Sequence, residues 1–358
     1  MTIKAKAAHA AMMVGALTKH HLRRIRYGDY AFFKVLHDSP LMVLLVHHLR
    51  DLSPLHQAAK ENPAYFFFNL WGTIESPKSI RAIVQYDRKK NRRFPHHQYI
   101  FLCNALEEQR LLREEGIEAV WCNHNAWIDE NIFRLTPEVE KRFDAVYDAN
   151  LSPYKRHALA ADIENLALIS FRHPVMFNRI YAEMIHRKLD HAHWANDPLS
   201  AEFRYLSNDE VVAILNQSRV GLCLSAMEGA MFASIQYLLC GLPVVTTPSK
   251  GGRDTFFEEE YVLTVEPEPG AVGRGVADLI ARNLSPKFIR NKTLEKMRQH
   301  RQTFIDLLQQ IFDRHDPSLN ARSVWENMFT HKMGLKHQAL RQGAEEIRKR
   351  VPLQRPQA

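Results

Sequence analysis

The chain has 358 residues, enough for two domains that each bury a core. With 46% hydrophobic and 25% charged residues it is composed like a globular protein rather than a disordered or collagenous one. No apolar run approaches the roughly 18 residues needed to cross a bilayer. A net charge of +8 favours anionic partners such as nucleotides or phospholipid headgroups. The chain has neither zinc-finger spacing nor the aromatic-studded basic strand of an RNA-recognition domain, which excludes nucleic acid as the expected partner.

Residues 1–28 combine Lys4 and Lys6, an Ala/Met-rich run to Leu17 and the basic cluster Arg23-Arg24-Arg26. The run is too weakly apolar for a signal peptide and lacks a clear cleavage site, so a basic amphipathic helix is expected. Two placements stay open: cover over the first domain, or peripheral contact with an anionic membrane. From residue 40 an alternating pattern begins. Leu41–Val46 reads as a strand ending at His47-His48, Leu52–Lys60 as a helix, and Ala64–Phe68 as an aromatic strand ending at Asn69. A longer helix from about Ser79 breaks near Lys90–Pro95 and leads to a strand at Tyr99–Cys103. Ala105–Glu115 is a helix stopped by Gly116, and Ile117–Cys122 is the next strand, ending in the loop Asn123-His124-Asn125. Strands alternating with helices in this way predict a parallel sheet covered on both faces.

Residues 130–142 are polar, contain Pro137 and read as a linker. A fresh strand, Phe143–Ala149, opens the second unit and is followed by Ser152-Pro153-Tyr154-Lys155-Arg156. Leu166–Ser170 is a strand and Pro174–Leu189 a helix. Ser207 with Glu210 forms a capping box before the helix Val211–Gln217. Then comes the most informative stretch, Arg219 to Asp254. Val220–Ser225 is a buried strand, Ala230–Leu239 a helix stopped by Gly241, Leu242–Thr247 a second strand, and Ser249-Lys250-Gly251-Gly252 a turn. This is a parallel βαβ unit, in which ligands sit where strand carboxyl ends meet helix N-termini. Tyr261–Val265 is a further strand and Ala271–Arg282 a helix. Lys287–Phe312 and Ser323–Lys349 read as basic helices. The expected division is 1–142, 143–312 and a helical tail 313–358.

The four cysteines form no CxxC pair. Cys103, Cys122 and Cys223 lie in or end apolar strand-like runs and Cys240 ends a helix, which suggests buried, reduced thiols and a cytoplasmic location. His191 and His193 have no third ligand at useful spacing, and no metal or other cofactor is expected. Gly270–Gly275 sits too late in its domain to read as a dinucleotide-binding turn.

Residues 219–254 resemble the donor segment of the large retaining family of GT-B glycosyltransferases that includes sucrose synthases and bacterial mannosyltransferases. That family carries two glutamates with seven residues between them, then Gly-x-Pro-Val and a Gly-Gly turn. Glu228 matches the first glutamate, Gln236 stands at the second, and Gly241, Pro243, Val244, Gly251 and Gly252 complete the pattern. Ser152–Arg156 resembles the opening of the family's second domain, and Cys103–Ile117 with Asn125–Asp129 resembles the end of its first. The resemblance spans roughly residues 98–282. It implies an α/β chain of two facing Rossmann-like domains with parallel sheets and a helical C-terminal tail. By the same resemblance the activity would be hexosyl transfer from a nucleoside-diphosphate sugar to a glycan or lipid-linked acceptor. Transfer would retain the anomeric configuration and need no metal, and the absence of Asp-x-Asp accords with this.

The resemblance also assigns roles. Glu228 would orient the transferred sugar as the catalytic residue, and Gly229, Ala230, Met231 and Phe232 would line the donor loop. Lys155 and Arg156 would hold the diphosphate, Gly251-Gly252 would let backbone approach it, and Gln236 would meet the ribose. Met231 replaces a glycine of the family, and Gln236 keeps an acceptor but loses the charge-assisted bond. On the acceptor side, His124, Asn69 and His47 lie at strand ends facing the cleft, and the family's histidine position here carries Asn69. The departures at Gln236, Met231 and Asn69 keep a second function open, a GT-B protein that binds nucleotide or glycan without turnover. A sugar-nucleotide epimerase shares the fold but needs a carboxylate and histidine set that is not evident.

Overall fold

The computed structural model describes residues 30–328, except 39–40, 48, 50, 60–61, 137 and 173–176, together with residues 336–350. The helix expected over residues 1–28 lies outside the described residues. Among the described residues the strands form two six-stranded sheets. The first is built on β1 (Tyr30–His37), β2 (Met42–Val46), β3 (Ala64–Phe68), β4 (His97–Cys103) and β5 (Ala119–Trp121). The second contains β6 (Phe143–Asn150), β7 (Leu166–Phe171), β8 (His193–Trp194), β9 (Ser218–Cys223), β10 (Val244–Thr246) and β11 (Val262–Thr264). The last strand, β12 (Lys336–Ala339), joins the first sheet.

Strand sequence explains the burial. Residues of β2 and β3 are apolar at every position, and all are buried. Val43, Leu45, Tyr65 and Phe67 enter one hydrophobic cluster, whereas Met42, Leu44, Phe66 and Phe68 enter another. Alternate side chains point to opposite faces, so this sheet is covered on both sides, as a parallel α/β sheet requires. β2 to β5 run parallel in sequence order. The second sheet is parallel throughout, in the order β11-β10-β9-β6-β7-β8. Strand order therefore reverses between β6 and β9, and the crevice outside the carboxyl ends of those two strands is where such sheets bind ligands.

The structure departs from the sequence reading at the edge of the first sheet. β1 was not expected; it pairs antiparallel with β2 and, on its other side, antiparallel with β12. Lys336–Ala339, within the tail read as wholly helical, is thus a strand, followed by the helix Leu340–Arg350. That helix buries Leu340, Ala344 and Ile347 in the cluster that also holds Leu52 and Leu55. Pairing with β12 covers the free edge of β1. The chain returns to the first sheet through the helix Pro286–His315, 30 residues long. Near its start Arg290 donates to the carbonyls of Leu239 at 2.5 Å and Phe133 at 2.7 Å. About three turns onward, Arg301 bonds the carbonyls of Ala126 and Ile128 and pairs with Glu130. Phe304 then packs on Phe67 and Trp127, and His315 meets the Tyr65 hydroxyl at 3.0 Å. One helix therefore clamps both units. Among the described residues no helix is long and apolar enough to cross a membrane.

All four cysteines are free and buried. Burial raises the thiols of Cys122, Cys223 and Cys240 to about 12, which leaves them protonated and inert near neutral pH. Three buried histidines behave in the opposite sense. Burial pushes His56 down to about 2, His157 to about 3 and His300 to about 4, with nearby lysines adding to the effect. His56 and His97 meet through Nδ1 atoms 3.0 Å apart, an arrangement in which one ring donates and the accepting ring must be neutral. In the unfolded chain these rings take up protons near pH 6.5. Their contribution to stability is therefore complete above that pH and is lost as the pH falls from 6.5 towards the folded values. Each ring should add a slope approaching about 1.4 kcal/mol per pH unit. Thermal unfolding should show a melting temperature falling steadily between pH 7 and pH 4.5, and a flat profile there would contradict the assignment.

Candidate active site in the interdomain cleft

The loops after β6 and β9 meet at the point where strand order reverses. After β6 the chain turns through Pro153–Lys155, a single 3-10 turn whose cap, Arg156, takes a left-handed conformation at φ 54°. The Tyr147 hydroxyl donates to the Lys155 carbonyl at 2.6 Å and anchors that turn to the strand. After β9, Glu228 is carried ahead of the helix Phe232–Leu239. The Lys155 ammonium forms an ion pair with the Glu228 carboxylate, and their side chains are only 8% and 10% exposed. The two residues singled out on separate segments are thus in direct contact. Lys155 also sits over the Tyr154 ring, 5.2 Å from its centre.

Arg156 lies at the same place but faces inward. Its Nε donates to the Leu224 carbonyl at 2.5 Å and one Nη to the Thr247 hydroxyl at 2.6 Å, so it braces the ends of β9 and β10. A second guanidinium, unnoticed in the sequence, completes the brace. Arg253 is fully buried and donates to the carbonyls of Cys223, Ser225 and Thr247 at 2.9, 2.8 and 2.7 Å, with Asp254 as its counter-ion at 2.6 Å. One planar fork thus reaches three strand-end carbonyls; that of Ser225 depends on Arg253, whereas those of Cys223 and Thr247 also accept from the Thr246 hydroxyl at 3.1 and 3.4 Å.

The glycines of the cleft are approached by the first domain. A Cβ on Gly229 would overlap the carbonyl of Trp71, and one on Gly252 would overlap the backbone of Asn104. Gly251, at φ 92°, leaves no room for a side chain beside the Glu228 carbonyl and Thr73. The Gly251 N–H donates to a carboxylate oxygen of Glu75 at 3.0 Å. Glu75 sits in the loop between β3 and the helix Pro77–Arg93, and that loop is itself pinned by the buried Glu108. The carboxylate of Glu108 accepts from the backbone of Ile74 at 3.0 Å and of Asn104 at 2.8 Å. Gln236 is half-buried in its helix.

On the opposite wall, His47, Asn69 and His124 form one buried group. His47 Nδ1 donates to the Asn69 carbonyl at 2.8 Å, and His124 Nδ1 donates to the Asn69 side-chain oxygen at 2.5 Å. The His124 ring stands edge-on to Phe232, with centres 5.7 Å apart. The residues flanking His124 reach across the cleft. Asn123 Nδ2 donates to the Asn104 and Gly252 carbonyls at 2.9 and 2.7 Å, and Asn125 Nδ2 to those of Ala230 and Met231 at 2.5 and 3.0 Å. Met231 itself holds a positive φ of 52°. His191 and His193 lie elsewhere: His191 bonds the Ile163 carbonyl and His193 is in β8.

No family model and no curated protein sequence matches the chain. Solved structures do. A glycosyltransferase from Rickettsia africae matches with a TM-score of 0.53 and 14% identity, over 75% of this chain and 76% of that one. HepE from Anabaena, solved with UDP, matches with a TM-score of 0.51 and 14% identity, over 77% of this chain and 80% of that one.

The fold is GT-B. At these identities the likeness speaks for the fold, and the side-chain chemistry rests on this chain's own geometry. In the GT-B frame β1 to β5 belong to the first Rossmann-like domain and β6 to β11 to the second. Lys155, Glu228, Gly251 and the helix Phe232–Leu239 line the second-domain side of the GT-B cleft, and His47, Asn69 and His124 line the first. Sequence reading named the groups on both walls but missed the bridging residues Glu75, Asn123 and Asn125. Asn123 and Asn125 had a visible signal, two asparagines flanking a histidine at a strand end. Glu75 had none.

Proposed function

We propose that the chain is a glycosyltransferase that moves a sugar from a nucleoside-diphosphate donor, held by the second domain, to a glycan or lipid-linked acceptor on the first. Contact between Lys155 and Glu228 at the reversal of strand order carries this reading, because it puts a cation and a sugar-bonding carboxylate where a parallel sheet receives its ligand. As the bond from the anomeric carbon to phosphate breaks, negative charge grows on the departing diphosphate. Lys155 Nζ and the N–H groups that open the helix Phe232–Leu239 are positive ends suited to that charge. Glu228, released from Lys155 as the phosphates arrive, would accept from sugar hydroxyls, and Gln236 would meet the ribose. Arg156 is better suited to brace the strand ends than to hold phosphate. Transfer is proposed to retain the anomeric configuration and to need no metal. Closure of the two domains would keep water from the donor.

A panel of uridine, guanosine and adenosine diphosphate sugars, read by thermal shift and then by release of nucleoside diphosphate with and without acceptor glycans, tests the reading. Binding without release favours the second function, a GT-B protein that recognises nucleotide or glycan without turnover. One observation favours that alternative: two groups expected to meet the diphosphate, Lys155 Nζ and the Gly251 N–H, already face protein carboxylates, Glu228 and Glu75. The same observation makes a prediction. Glu75→Gln removes a negative charge beside the phosphate position and should tighten nucleoside-diphosphate binding about three- to tenfold, the scale of one screened charge. Calorimetry that shows equal or weaker binding would remove Glu75 from the site.

A further inference from the structure

Met231 is one of three non-glycine residues with positive φ among the described residues. Asn283 and Arg156 occupy the ordinary left-handed basin, at ψ 49° and 40°. Met231, at ψ 97°, lies outside it. Strained backbone of this kind persists only where neighbours hold it. Within its own domain Met231 is held through its carbonyl, which accepts from the Ser234 hydroxyl at 2.8 Å. The other hold comes from across the cleft. Asn125, wholly buried in the loop after β5, donates through Nδ2 to both Ala230 and Met231. Its own loop is fixed in turn, since the Asn125 N–H donates to the Asn123 side chain at 2.9 Å and Asn123 bonds Gly252.

We propose that Asn125 is a positioning residue. It holds Met231 in its strained conformation while the two domains are together, and so shapes the loop from Glu228 to Met231 that receives the transferred sugar. When the domains part, the two bonds from Asn125 are lost and Ala230 and Met231 relax beside Glu228, which its ion pair with Lys155 and its N–H bond to the Lys250 carbonyl keep in the second domain. Assembly of the sugar subsite is thereby tied to closure of the cleft. The nucleoside-diphosphate subsite at Lys155 stands on β6 and does not depend on this bond. A methionine at this position, rather than a glycine, makes the loop's shape conditional, because glycine adopts positive φ without being held.

This inference rests on the glycosyltransferase reading, and the experiment separates the two. Full-length wild type, Asn125→Ala, Asn125→Asp, Met231→Gly and the Asn125→Ala/Met231→Gly double variant are titrated with UDP and with UDP-glucose, or with the nucleotide and sugar the donor panel identifies. Turnover is measured in parallel. Asn125→Asp keeps the side-chain shape and loses both donors, so it stands in if the alanine variant does not fold. Both Asn125 variants are expected to bind the nucleoside diphosphate within twofold of wild type, to bind the intact donor at least tenfold more weakly and to lose turnover by a similar factor. Met231→Gly in the Asn125→Ala background should recover most of that loss, a rescue that a merely structural contact would not show. Intact-donor affinity unchanged in both Asn125 variants, or no recovery in the double variant, overturns the inference while leaving the glycosyltransferase reading in place. A wild-type chain that binds no nucleotide or sugar donor overturns the reading and this inference together.

Discussion

Lys155→Ala should weaken nucleoside-diphosphate binding roughly ten- to a hundredfold, the loss of a charge-assisted contact of about 1.5–3 kcal/mol. The same substitution should also cost folding stability. It strands the Glu228 carboxylate, only 10% exposed, without its cation, and breaking a buried pair from one side typically costs about 3–5 kcal/mol. The two effects can be told apart with the double variant Lys155→Ala/Glu228→Gln. Removing the orphaned charge should return most of the stability, read by urea unfolding, but only the few-fold of affinity that loss of a neighbouring negative charge gives, read by calorimetry. A folded Lys155→Ala protein with wild-type affinity would sink the assignment of Lys155 to the diphosphate.

Arg253→Leu should be among the most damaging single changes in the second domain. The guanidinium is fully buried and is a donor to three strand-end carbonyls, those of Cys223, Ser225 and Thr247. Leucine fills part of the volume but leaves the Ser225 carbonyl without its donor and the Cys223 and Thr247 carbonyls with only the Thr246 hydroxyl and the Thr247 N–H. One stranded acceptor costs about 1–3 kcal/mol, and with the charged donor lost from the other two the total should reach about 2–4 kcal/mol, a large share of the stability of an ordinary domain. Arg253→Lys should recover only a fraction, because one ammonium cannot span the carbonyls that the planar fork reaches. Urea unfolding of the three proteins provides the measurement, and a loss below about 1 kcal/mol for Arg253→Leu would show that the carbonyls find other donors.

The brace gives Arg156 a place that its sequence neighbourhood does not announce. In sequence it follows Lys155 in a turn after a strand, where two adjacent cations suggest a phosphate. In the structure the left-handed turn at Arg156 points its guanidinium towards Leu224 and Thr247, while Lys155 points towards Glu228. Adjacent residues are thereby given different partners. The glycines carry a similar lesson. Gly251 and Gly252 are expected to let backbone approach a phosphate and Gly229 to line the donor loop, and in this arrangement it is the backbone of Trp71 and Asn104 and the region of Thr73 that approach them. A close approach is legible as glycine; what approaches is not.

Locally encoded features were legible. Ala64–Phe68, Tyr99–Cys103 and Val220–Ser225 are continuous apolar runs too short for helices, and each supplies the buried part of a strand. Ser207 and Glu210 announced a helix start, and the reciprocal cap is present. These signals depend on residues within one turn or one strand of each other, so the sequence by itself determined the alternation of strands and helices from β2 to β7 and from β9 to β11, and the placing of Glu228 and Lys155 after strand ends; it did not announce β1, β8 or β12. Tertiary structure decided what no local pattern can specify. It set β12 beside β1, Asn69 between His47 and His124, and Glu75 on a glycine 176 residues away. It also placed Asn125 against a methionine 106 residues on. Such contacts form because a sheet edge, a strand end or a strained carbonyl must find a partner once the chain is compact. The partner is whichever group the packing brings there.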